Sequence, residues 1–224
     1  MIVKLETIGE TIDFPDGIGA ISFDEFDELS RCAMSLLREG VPGIALYRGE
    51  RRLKQKDIVL IDSLIELPFD DRRLVGAYAS RIVAEIEACE PLVTKAHEIS
   101  TCVGELIAKL GASLRTDPVG GTEQDIKSFV KWLSLSPCRE PDGTLLRRFL
   151  SFMDYVCDTG LNPSICTIDL IGKLNPVDVL DITRKARHEG LEMMFLEYRE
   201  VDATDIEIPV WHIDKDGVLF SRTV

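Results

Sequence analysis

The chain has 224 residues, 45% of them hydrophobic, and a formal net charge of −13. That length and apolar content suffice for one large core or two small ones and exclude a disordered or fibrous polypeptide. The negative sum opposes a simple polycationic binder of nucleic acid, because bare DNA would be repelled at long range. The charge is nonetheless segregated: Arg48, Arg51, Arg52, Lys54 and Lys56 crowd one stretch, whereas Glu200, Asp202, Asp205, Glu207, Asp214 and Asp216 crowd the far end.

Taken in chain order, Ile2-Val-Lys-Leu-Glu and Thr11-Ile-Asp-Phe read as two short strands joined at Gly9, and Pro15-Asp-Gly is turn chemistry. Ile18-Gly-Ala-Ile is a third strand. Ser22 and Glu25 are spaced as a capping box ahead of a helix carrying Phe26, Leu29, Ala33 and Leu36, which Gly40 ends. Gly43-Ile-Ala-Leu-Tyr is the next strand, and Asp57-Ile-Val-Leu-Ile-Asp62 is a continuous apolar run suited to a buried parallel strand.

From Leu74 to Leu110 apolar residues recur at three- and four-residue steps, a helical period. One helix of that length would span roughly 55 Å. Pro91 lies inside the pattern, lacks an amide hydrogen and clashes with the preceding turn, so a break near Glu90 is expected. Thr122, with Gln124 or Asp125 in the first turn, starts a second helix carrying Ile126, Phe129, Val130 and Leu133, and Leu145 to Cys157 is a third.

Strands then return. Ser164 to Asp169, a helix from Pro176 to His188 with Asn175 as cap and Gly190 as stop, and Leu191 to Glu197 make a βαβ unit. Val210 to Asp214 and Val218 to Ser221 form a hairpin about Asp216-Gly217. Strands and crossovers thus occupy residues 1–66 and 150–224, expected as two halves of one mixed sheet, with a helical insertion over 67–149. An insertion of that kind is expected to project from the domain; a long helix buried in a bundle is the alternative.

Chemistry is sparse. Asp62 and Asp169 end apolar strands as the metal-side acid of nucleotide triphosphatases does, but Asp16-Gly-Ile-Gly-Ala-Ile-Ser-Phe-Asp-Glu has no phosphate-loop Lys, and Asp24 and Glu25 would repel phosphate. His97, His188 and His212 are scattered, and the six cysteines form no zinc spacing, so reduced thiols are expected. Asp214-Lys-Asp-Gly imitates the opening of a calcium loop without its later ligands. No secretion signal and no run of roughly 18 apolar residues is present, so a cytoplasmic protein with no membrane partner is expected.

The order and spacing of Asp57-Ile-Val-Leu-Ile-Asp62 leading into a long helix, Phe129-Val-Lys-Trp-Leu-Ser-Leu135, Phe195-Leu-Glu-Tyr-Arg-Glu200 and Ile213-Asp-Lys-Asp-Gly-Val-Leu-Phe220 carry a resemblance over nearly the whole chain. The sequence resembles the CRISPR-associated accessory proteins of type II-A adaptation modules, in a short form. The resemblance implies an α/β fold: a degenerate P-loop-like head with a mixed sheet, split by an inserted α-helical leg. It implies a non-catalytic protein that binds double-stranded DNA ends as a homotetrameric ring during spacer acquisition, an antiviral defence, beside the adaptation integrase and the effector nuclease. It also implies calcium held by acids of the leg, where Glu105, Asp117, Glu123 and Asp125 stand; Glu123 and Asp125 are the candidate ligands.

A ring reconciles charge with function, because a basic lumen attracts DNA that acidic outer faces repel, binding phosphates without reading bases. Candidate lumen residues are Arg51, Arg52 and Lys54 in the head and Lys127 and Lys131, one helical turn apart, in the leg, with Arg147 and Arg148 behind them. Two other readings stay open: a nucleotide-hydrolysing P-loop-related enzyme and a protein-only oligomeric scaffold.

Overall fold

The computed structural model describes residues 1–113, 126–133, 135–137, 143–202 and 206–221, with side chains left out at 110–113 and 132. The chain separates into two compact units. One comprises Met1–Phe69, Arg139–Cys157 and Leu161–Val224; the other comprises Asp70–Cys138 and Asp158–Gly160. In sequence, the second unit is therefore inserted within the first.

The first unit is α/β. Strands β1 (Ile2–Leu5), β2 (Glu10–Asp13) and β3 (Ile18–Phe23) precede helix α1 (Phe26–Leu37), followed by β4 (Ile44–Arg48), β5 (Arg51–Arg52) and β6 (Ile58–Ile61). These strands do not join one split sheet. β2-β1-β4-β5 form a separate antiparallel sheet, while β3 and β6 enter a second, mixed sheet whose order is β10-β9-β3-β8-β7-β6. Burial explains the division: β3 is buried at every position, as a strand covered on both faces must be, whereas β1 and β2 show solvent on one side and β5 is exposed at both residues.

Helix α1 buries Leu29, Cys32, Ala33 and Leu36. These residues share one apolar cluster with Val3, Leu5, Ile12 and Leu46 of the small sheet and Ile21, Phe23, Cys166 and Leu196 of the large one. The capping box expected at Ser22 and Glu25 is absent. Ladder pairing of β3 runs through Phe23, so Ser22 is held inside the sheet; Glu25 is the N-cap and its side chain makes no capping bond.

The second unit contributes α2 (Arg72–Glu87), α3 (Glu90–Ser113) and α4 (Ile126–Leu133), which pack on one another. Asp71 caps α2 by accepting from the Arg73 amide at 2.8 Å. The break predicted from Pro91 falls at Ala88 and Cys89, so the proline occupies the first turn of α3, where its missing N–H costs nothing.

Returning to the first unit, α5 (Leu145–Thr159) buries Phe149, Phe152, Met153 and Val156, a helical stripe at spacings of three and four. Phe69 meets Phe152 edge-on with centroids 5.2 Å apart. The chain then runs through β7 (Ser164–Ile168), α6 (Pro176–Glu189), β8 (Met193–Tyr198), β9 (Val210–Ile213) and β10 (Leu219–Ser221). Asn175 caps α6 by accepting from the Asp178 amide at 2.8 Å, and Gly190 ends it at φ 66°, the left-handed conformation glycine adopts without strain. β9, β3, β8, β7 and β6 are parallel; only the β9–β10 hairpin makes this sheet mixed.

Candidate nucleic-acid interface

The C-terminal edge of an open parallel sheet is where α/β proteins usually hold ligands. Here that edge is acidic. Asp24, Asp62, Asp169 and Asp214 directly follow β3, β6, β7 and β9. Helix α1, which starts two residues beyond Asp24, has Glu25 at its N-cap and Asp27 and Glu28 in its first turn in place of a glycine-rich turn. A helix N-terminus attracts phosphate through its free amides, but three carboxylates there already supply the negative charge.

A buried polar row crosses the sheet just inside this edge. Ser22 lies directly between Glu197 of β8 and His212 of β9 in the ladder. Ser22 Oγ is 3.0 Å from His212 Nδ1, and His212 Nε2 is 3.4 Å from Asp24 Oδ1. The tautomer protonated on Nε2 satisfies both contacts: the imidazole donates to Asp24 and accepts from the serine hydroxyl. Although this is a serine–histidine–aspartate arrangement, Ser22 is completely buried and reaches no substrate. It links strands. Sequence spacing gives no hint of it, because about 190 residues separate its two halves.

Glu197 is also buried, at 1% exposure. Its carboxylate accepts from the backbone amides of Leu170 and Ile171 at 2.9 and 3.0 Å and from Gly172 at 3.4 Å. Consecutive amides of this sort are an anion nest, and the protein fills it with its own side chain. Burial pushes the Glu197 carboxyl up to about 7, against the pull of the three amides.

The basic stretch is divided by the fold. Arg48 grips Glu192 through two bonds, Nε to Oε1 at 3.1 Å and Nη2 to Oε2 at 2.7 Å, tying the small sheet to the start of β8. Burial alone would raise the Glu192 carboxyl, but the Arg48 guanidinium and the Ser164 hydroxyl outweigh it and hold the group below its ordinary value. Arg48 is therefore a structural cation. Replacing it by Met strands a half-buried carboxylate and is expected to cost about 1–3 kcal/mol at pH 7, read from denaturant midpoints. The loss shrinks under acid, because a lowered pKa stabilises only above the unfolded value and the contribution disappears as Glu192 protonates.

Arg51 pairs with Asp57 at 2.8 Å and Arg52 with Glu6 at 3.1 Å. Asp57 is held below the usual carboxylate range first by the Lys54 amide and then by Arg51. The structure brings Arg52 and Lys54 together at a concavity of about 270 Å³, where Arg38 at the end of α1 joins them. Leu36, Ile44, Leu46, Leu53 and Ile58 line its apolar part, and Glu39 is the lining acid. Arg51 does not line it. Arg38 was missed in the sequence because it stands alone there, with its basic neighbours 14 and 16 positions on.

In the second unit, Lys127 and Lys131 lie exposed on one side of α4. They edge an apolar groove shared with α2. Arg147 and Arg148 sit on α5, where Arg148 donates to the carbonyl of Ile65. The candidate calcium ligands Glu123 and Asp125 lie outside the described residues, as does Asp117. Among the described residues no group of three or more His, Cys, Asp or Glu side chains is placed to hold a metal. Asp214, the opening of the apparent calcium loop, spends Oδ1 on the amides of Asp216 and Val218, both at 2.9 Å. Burial pushes the Cys32 thiol up to about 12 and raises Cys166 as well, so both stay protonated. Among the described residues no helix is long and apolar enough to cross a membrane.

No protein-family model matches this sequence, and no curated protein matches it. Among solved structures, the chain is similar to the recombination mediator protein RecF, in a RecF-ATPrS structure from the RecFOR pathway, at 12% identity and a TM-score of 0.46, over 99% of this chain and 97% of that one. It is also similar to the Smc head domain with an extended coiled coil bound to the C-terminal domain of ScpA, derived from Pyrococcus furiosus, at 10% identity and a TM-score of 0.46, over 100% of this chain and 95% of that one. Likeness at this distance carries no argument about activity.

Proposed function

We propose that this chain is a non-catalytic, sequence-independent binder of double-stranded DNA ends, acting as a homotetrameric ring in CRISPR spacer acquisition beside the adaptation integrase and the effector nuclease. The observation that carries the DNA contact is the convergence of Arg38, Arg52 and Lys54, from separate elements, on one concave surface of the first unit. Cations gathered in this way bind phosphate oxygens and position a duplex without reading its bases. The family resemblance supplies the ring, the defence role and calcium, whose candidate ligands lie outside the described residues.

Each cation touching a phosphate releases a counterion, so single replacements of Arg38, Arg52 and Lys54 by Ala are expected to weaken binding equally on unrelated sequences. Each should flatten the slope of log K against log salt by about 0.9. Linear duplex should bind and relaxed closed circles of the same sequence should not. Equal binding to circles sinks the end-binding reading, and unmoved slopes remove these side chains from it.

A nucleotide-hydrolysing enzyme is the second reading, favoured by Asp169 at the end of β7 with the buried Glu197 beside its loop. The carboxylates opening α1 oppose it, since they would repel a triphosphate. Hydrolysis that is abolished by Asp169→Asn would establish that reading in place of the first.

A further inference from the structure

The cations of the first unit differ in how much of their charge is already spent. Arg48, Arg51 and Arg52 each hold a carboxylate, that of Glu192, Asp57 and Glu6 respectively. Arg38, the C-cap of α1, and Lys54, which opens the turn Gln55–Asp57, are both exposed and form no ion pair among the described residues. These two line one concavity of about 270 Å³, with Arg52 as the third cation and Glu39 as the lining acid.

Two features set this concavity apart from a track for a duplex. A backbone held along its length needs a row of cations, because each phosphate is a separate contact, and the arginines that would extend the row are the ones already paired. The rest of the lining is apolar: Leu36, Ile44, Leu46, Leu53 and Ile58 are all buried beneath the cations. Ligand pockets run from about 300 to 1,000 Å³, so a volume near the small end admits one nucleotide-sized group and not a duplex.

We propose that the concavity binds a phosphomonoester, the group that ends a DNA strand, through Arg38 and Lys54, with the terminal sugar against the apolar lining. The proposal rests on the DNA-end reading above and says which part of the end is recognised. A phosphomonoester carries about 1.5–2 negative charges near pH 7 and offers three oxygens to charge-assisted bonds, whereas an internal diester carries a single charge. Two unspent cations in one cup favour the group with the greater charge. The salt-slope changes expected for Arg38 and Lys54 then belong to phosphorylated ends.

The test is fluorescence anisotropy of the full chain with blunt linear duplexes of one sequence, carrying 5′-phosphates, 3′-phosphates or hydroxyls alone, with relaxed closed circles as competitor. A duplex phosphorylated at one of its termini, 5′ or 3′, is expected to bind about tenfold tighter than the all-hydroxyl duplex. Arg38→Gln and Lys54→Gln should each cut that ratio to about threefold or less. Lys56→Gln should keep it, since Lys56 is an exposed cation of the same stretch that does not line the concavity. Removing the lining acid by Glu39→Gln is expected to raise the ratio about twofold, a gain that misfolding cannot imitate.

Equal affinity for phosphate and hydroxyl ends overturns the proposal. So does a ratio that Lys56→Gln lowers as much as Lys54→Gln, because bulk charge then accounts for it. A free mononucleotide carries the same group: binding of deoxyadenosine 5′-monophosphate that Lys54→Gln abolishes, with duplex binding indifferent to end phosphorylation, assigns the concavity to small nucleotides and overturns the strand terminus. Circles that bind as well as linear duplex sink the DNA-end reading itself. Linear duplex preferred over circles with no effect of the phosphate leaves that reading standing and removes this one alone.

Discussion

Replacing Glu197 by Gln is expected to raise stability at pH 8 and to remove a fall in stability that the wild-type chain shows between about pH 4.5 and 7. A carboxyl buried at 1% exposure holds its proton more tightly folded than unfolded, which moves it from the ordinary glutamate value of 4.5 to about 7. With a raised folded value, the stabilisation is complete below pH 4.5, declines as pH rises toward 7, and is gone above it. At ~1.4 kcal/mol per unit the decline amounts to about 3 kcal/mol.

Glutamine keeps an oxygen for the Leu170 and Ile171 amides and gives up only the 3.4 Å bond from Gly172. It never ionises. Urea titrations of both proteins from pH 4.5 to 8.5 isolate this group, since Glu192, Asp57 and Asp71, all shifted downward, act equally in each. A parallel pH dependence in the two proteins would show that Glu197 does not carry the transition. Glu197→Leu separates charge from bonding: it empties the nest, leaves buried amides unpaired and is expected to destabilise by about 2–4 kcal/mol at every pH.

Gly19→Ala is expected to be among the most damaging single-methyl changes in the chain. A Cβ at residue 19 would stand 2.1 Å from Cδ1 and Cε1 of Phe14, and Phe14 is completely buried. The ring lies flat over the glycine because no side chain separates them, and neither β3 nor the small sheet yields easily. Overpacking of this severity costs about 3 kcal/mol, or roughly 6–12 °C of melting temperature in a chain of this size. Trimming the ring should recover part of it: Gly19→Ala with Phe14→Leu is expected to exceed Gly19→Ala alone in stability. A thermal shift within ~1 °C for Gly19→Ala would mean that the ring swings aside at no cost.

What could be read from the sequence follows how local each determinant is. The β7–α6–β8 crossover was legible because Asn175, Pro176 and Gly190 mark both ends of its helix and the flanking strands are continuous apolar runs. The break between α2 and α3 was legible for the same reason, with Pro91 as the marker. The split into two sheets was not. Ile44–Arg48 and Ile58–Ile61 look alike as strings, and only pairing with β1, across 39 to 45 positions, or with β7, across 106, tells them apart.

The same limit governs the site. Ser22 reads as a helix cap from its neighbours and becomes a sheet residue only because Glu197 and His212 arrive on either side. The basic stretch was conspicuous, yet its fate depended on Glu192, Asp57 and Glu6, which pin three of its arginines. The isolated Arg38 gained significance only through the fold that sets it beside Lys54.

Two arginines make up the whole of β5, one of the two edge strands of the small sheet. A border with unsatisfied amides invites strands from other molecules, and a short, doubly charged one turns them away. Removing either guanidinium therefore also unlocks a route to fibrous self-addition. Light scattering and a thioflavin control belong beside any DNA measurement on Arg52→Ala, and glutamine at that position, still polar and solvated, should precipitate less than alanine.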